Sequence, residues 1–184
     1  MPQMNLLNAT LTADRTITFP NASGTLALVG SSGTVLQVVN ASTTTQVTVA
    51  TTVYTDTTLT ATITPTSVTS KIIILVMQGC GYTRSASPQG VGVRLLRDAT
   101  VIYTPVQGVS GPYILFTNAG GATSNSTYGN VQINYVDLPA TTSAVTYKTQ
   151  GRPYLTPNSG SAVFQLTDTV ANQTSTIVLM EIAP

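Results

Sequence analysis

A chain of 184 residues that is 42% hydrophobic is long enough for one domain with a sizeable core, which excludes a disordered chain despite its low charge. Seven basic residues face six acidic ones for a net charge of +1, with no histidine, no tryptophan and one cysteine. That balance excludes a basic nucleic-acid binder, a histidine-activated nucleophile, a zinc centre and an intrachain disulfide.

The N-terminal MPQMNLL lacks the positive stretch and apolar run of a secretory signal. Thr16-Ile17-Thr18-Phe19 alternates polar and apolar until Pro20 stops it, Asn21 to Gly24 reads as a turn, and Thr25 to Val29 reads as a second strand. Residues 1–30 are therefore expected to form a small β-hairpin. A lone hairpin cannot bury its own apolar face. Ile17, Phe19, Leu26 and Leu28 are accordingly expected to dock it on a neighbouring copy or on another protein. Gly30-Ser31-Ser32-Gly33 reads as a flexible joint, and the body is expected over 31–184.

In the body, short apolar or alternating blocks are punctuated by Gly, Pro and Asn, with no helical period. The pattern predicts strands at Val35–Val39, Gln46–Tyr54, Leu59–Thr64, Lys71–Gln78, Gly90–Leu96, Val101–Thr104, Tyr113–Phe116, Val131–Tyr135, Ala144–Thr149, Ala162–Leu166 and Thr176–Glu181. That number of short strands suits an all-β, antiparallel sandwich. Arg97-Asp98-Ala99-Thr100 reads as the turn of a hairpin. Lys71 to Met77 is apolar on both faces, so it is expected to be a central strand covered on both sides, its outer face by a subunit contact. Thr176 to Met180 repeats the pattern and is its expected partner. The apolar run Ile72 to Met77 is too short to cross a bilayer, so no membrane insertion is expected. The five Asn-x-Ser/Thr triplets carry no glycosylation reading in a chain this rich in Thr and Ser.

Residues 10–28, TLTADRTITFPNASGTLAL, resemble a segment found in tail-fibre and other virion proteins of tailed bacteriophages. From Gly33 onward, GTVLQVV at 33–39, SKIIILVMQGCGY at 70–82, VRLLRDATVIY at 93–103 and TSTIVLMEIA ending at Ala183 resemble a phage knob domain. In outline this is similar to the trimeric jelly-roll heads of the tumour-necrosis-factor and complement type. The resemblance implies a virion protein with a jelly-roll-like knob, assembled as a homotrimer. With only about thirty residues ahead of the knob, a long shaft is not expected.

Chemistry-bearing groups are few. Cys80, between two glycines, reads as a small buried hydrophobe. Asp14, Asp56, Asp98, Asp137, Asp168 and Glu181 are scattered without calcium-loop spacing; no metal or cofactor is expected. A polysaccharide depolymerase would need two carboxylates close together, and Asp137 with Asp168 is the pair left open. Glu181 is expected to pair with an arginine. Tyr82, Arg84, Tyr128, Arg152 and Tyr154 are the candidates for contacts with a host or partner, because Tyr and Arg bring area and hydrogen bonds together. Two readings follow: a short trimeric fibre or knob contacting the host surface, with glycan as a partner, or a capsid decoration protein clamping the head. In either, the N-terminal segment would join another virion protein.

Overall fold

The computed structural model describes residues 32–84, 89–105, 114–116, 125–154, 160–167 and 172–184. The hairpin expected over 1–30, with Ile17, Phe19, Leu26 and Leu28, lies outside them. Among the described residues every element is a strand: β1 (Val35–Thr43), β2 (Val47–Val49), β3 (Thr55–Ile63), β4 (Lys71–Arg84), β5 (Gln89–Arg97), β6 (Thr100–Tyr103), β7 (Ile114–Phe116), β8 (Asn125–Asp137), β9 (Val145–Pro153), β10 (Ser161–Phe164) and β11 (Ser175–Ile182).

All pairs are antiparallel and nest one inside the next: β5 with β6, β4 with β8, β3 with β9, and β1 with β11. This rolled hairpin produces two layers, β1-β11-β4-β8 and β3-β9-β5-β6. It is the jelly-roll form of the β-sandwich. Strand β4 organises the first layer. One edge pairs with β8 from Ile72 to Arg84, and the other is shared by β11 along 71–77 and β10 along 80–83.

Period-2 patterning explains the core. Ile72, Ile74, Val76, Cys80 and Tyr82 of β4 point inward, with Ile177 and Leu179 of β11 and Val131 and Ile133 of β8. Leu59, Ala61, Ile63, Val91, Val93, Leu95, Val145 and Tyr147 meet them from the other sheet. Tyr103 and Tyr135 add an inter-sheet ring contact with centroids 5.3 Å apart. Between the layers lies a polar strut. Thr57 and Thr149 donate to Gln78 Oε1 (3.1 and 2.7 Å), and Gln78 Nε2 donates to Ser175 Oγ (2.9 Å).

Several boundaries differ from expectation: β1 runs on to Thr43, β3 begins at Thr55, β4 runs to Arg84 and β9 to Pro153, and two further shifts have a clear tertiary cause. Gln46–Tyr54 is not one strand: β2 ends at Val49, and residues 51–53 bend as the chain crosses from the first sheet to the second. Strand β8 begins at Asn125, ahead of the expected Val131, because the long β4 offers rungs out to Arg84.

Candidate functional site

The outer faces of the two sheets differ in chemistry. On the first, register aligns Val38, Met180, Ile73 and Val136 in one row across four strands, with Val178 and Leu75 between Asn40 and Asn134 in the next, and Met77 beyond among Ser42, Thr176 and Gln132. Val38 is 58% exposed, Val136 54%, Leu75 38% and Met77 37%. The outer face of β4, expected to be covered, is thus open to solvent in the isolated chain. Of the outward residues on these rows only Lys71, at the margin, is charged. Tyr128 stands further along this face of β8, exposed and opposite Gly81.

The second sheet's outer face is polar. Arg94 on β5 stacks over the Tyr54 ring at 4.1 Å, and Arg152 on β9 at 4.7 Å. Arg94 Nε and Nη2 both donate to Gln150 Oε1 (2.9 and 2.6 Å). Arg152 Nη1 donates to the Thr52 carbonyl (2.9 Å). Gln150 Nε2 and Lys148 Nζ hold the two Asp56 carboxylate oxygens at 2.6 and 2.8 Å. Burial alone would raise the Asp56 pKa, but the hydrogen bonds from Lys148 and Gln150 and the charges of Lys148 and Arg94 bring it below its ordinary 3.8.

Of the expected contact residues, Tyr82 proves to be a core residue, fully buried on the inward face of β4. Its parity with Ile72, Ile74 and Val76 is the signal for that, masked by the glycines around Cys80. Arg84 closes β4, and its side chain lies outside the described residues. Tyr154 is half-buried just past β9, its amide bonded to the Gly90 carbonyl (2.9 Å). Arg152 and Tyr154 therefore share the second sheet, and Tyr128 sits on the first. Sequence reasoning missed Arg94, Tyr54, Gln150 and Lys148, whose alternation along Lys148, Gln150 and Arg152 does mark one face of a strand.

The described carboxylates are committed to structure. Asp137 is buried and accepts from Arg97 Nη1 (3.0 Å) and the Tyr147 hydroxyl (2.7 Å). Asp98 Oδ1 accepts the Thr146 amide (2.9 Å). Among the described residues Glu181 pairs with no arginine; Gln37 Nε2 (2.5 Å) and the Thr66 amide and hydroxyl (both 2.7 Å) hold it. Asp168 lies outside the described residues. Cys80 is fully buried, and burial pushes its thiol up to about 12, so it is an inert packing group. No cluster of three or more His, Cys, Asp or Glu occurs among the described residues.

No family model and no curated protein matches the chain. Among solved structures it is similar to infectious bursal disease virus, Gx strain (14% identity, 90% of this chain and 43% of that one, TM-score 0.36). It is also similar to the T13 viral particle of that virus (16%, 80% and 35%, 0.33) and to its VP2 subviral particle (16%, 80% and 38%, 0.29). The chain spans less than half the length of each.

Proposed function

We propose that the protein is a structural subunit of a tailed-phage virion: a homotrimeric jelly-roll knob that projects from the particle and meets the host surface without catalysis. The observation that carries the reading is the open apolar face of the first sheet. Its seven apolar side chains, each over a cell of about 4.8 by 6.6 Å, give a patch of roughly 220 Å², bordered by Asn40, Asn134, Ser42, Thr176 and Gln132. It holds almost no charge, so copies of it can approach without paying to desolvate ions. The N-terminal resemblance to fibre segments supports the virion setting, and a charge-poor chain with structurally committed carboxylates supports a passive role. A capsid decoration protein would use the same face against a head subunit.

Light scattering at micromolar concentration tests the assembly. A mass of three chains is expected, falling to one chain when Leu75→Asp and Val136→Asp place charges on the face. A wild-type monomer overturns the trimer. Copy number per particle separates the settings: a few dozen or fewer fit a tail knob, and hundreds fit the head.

A further inference from the structure

Three of the chain's seven cationic side chains, Arg94, Lys148 and Arg152, rise from adjacent strands on the solvent side of the second sheet. Asp56 is the carboxylate among them, and Lys148 and Gln150 already occupy its two oxygens. The cluster keeps an excess of positive charge. Stacking on Tyr54 and the double bond to Gln150 fix the Arg94 guanidinium in place. Its remaining N–H donors are left for an external acceptor. A pre-positioned guanidinium binds a carboxylate with little further loss of side-chain freedom.

The surroundings decide what kind of molecule carries that carboxylate. Thr60, Thr62 and Thr146 line the same face, Thr60 donating to the Tyr147 carbonyl (3.3 Å) and Thr62 and Thr146 sharing a bond (2.9 Å) with acceptor capacity to spare; no exposed large hydrophobic side chain occurs on β3, β5 or β9 among the described residues, and exposed Val53 lies just ahead of Tyr54. A protein hot spot seats its Tyr and Arg anchors in a well-packed, fully desolvated pocket, whereas here both guanidinium groups stack over Tyr54 on the outer face of a sheet. A flat, hydroxyl-rich face with fixed cations suits a hydrated polymer of sugars. We propose that Arg94 and Arg152, braced by Tyr54, form a binding site for the carboxylate groups of an acidic polysaccharide. The assignment rests on the reading of the body as a host-contacting knob, and copies in one assembly would multiply a weak single-site affinity.

Biolayer interferometry on immobilised polygalacturonate, neutral dextran and poly-glutamate tests it. The wild-type protein is expected to bind polygalacturonate, more weakly as salt rises, and to ignore dextran. Arg94→Gln with Arg152→Gln should lower that affinity about tenfold or more, and Arg94→Lys should retain part of it, as charge without the fork. Thermal melting shows that each variant is folded. Absent wild-type binding, unchanged binding by the folded double variant, or preference for poly-glutamate overturns the proposal. Light scattering on the same samples separates the two readings. A trimer that ignores polygalacturonate sinks only this site, and a monomer that binds it through these arginines sinks only the assembly.

Discussion

Gly151 shows how a single residue sets the distance between the layers. A Cβ placed there would lie 2.0 Å from Phe164 Cζ and 2.5 Å from Cε2. The ring is fully buried in the core, so it has no room to retreat. Gly151→Ala should lower the urea midpoint, at a cost of about 1–3 kcal/mol typical of overpacking, and Phe164→Leu added to it should recover part of the loss. An unchanged midpoint for Gly151→Ala would contradict the packing. This close approach was not legible in the sequence, where Gly151 looks like any glycine ahead of a proline. Cys80 and Asp98 were legible, because a cysteine in an apolar run and an aspartate in a four-residue turn each have one favourable setting. Asp98 indeed adopts φ 52° in the β5–β6 turn. The Tyr54–Arg94–Arg152 stack was not, since its members meet only after the sheet has formed.

At the scale of elements, Glu181 ties β11 to β1 and to the loop around Thr66. Burial would raise its pKa, but the Gln37 amide, the nearby Ser70 hydroxyl and the Thr66 donors outweigh burial and bring it from 4.5 to about 2. The native carboxylate therefore holds its charge to lower pH than the unfolded one. The unfolded chain binds more protons below about 4.5, so this contribution is complete above that pH and drains away as pH falls toward 2. Thermal unfolding across pH 2–7 should show the decline, and Glu181→Gln should flatten it. An equally steep acid loss in that variant would mean that Glu181 is not its source. Strand existence was readable from alternation and from short apolar runs, down to the partnership of the 71–77 and 176–180 runs, which the register shows to be antiparallel. Boundaries were not, because β8 is extended by the length of its partner and β2 is cut short by a change of sheet. Both effects are tertiary and override local preference.

For the whole molecule, the core among the described residues is contributed from Val49 to Leu179. A chain beginning at Ser32 should therefore fold alone, with a single cooperative transition at the melting temperature of the full chain. A broad or absent transition would show that the first 31 residues are part of the folding unit. The low-charge composition made a β scaffold legible from the start. What no linear pattern revealed was the division of labour between the faces, one greasy and one cationic, since it arises from register across strands far apart in sequence. The same nesting brings Gly33 beside Ala183, joined by backbone bonds from Gly33 to Ala183 (3.3 Å) and from Ala183 to Thr34 (2.8 Å). Tension pulling those two points apart would strain the β1–β11 rungs one at a time, as a zipper opens. Mechanical toughness under such a pull must come from broad side-chain contact with neighbours, not from the seam that closes the roll.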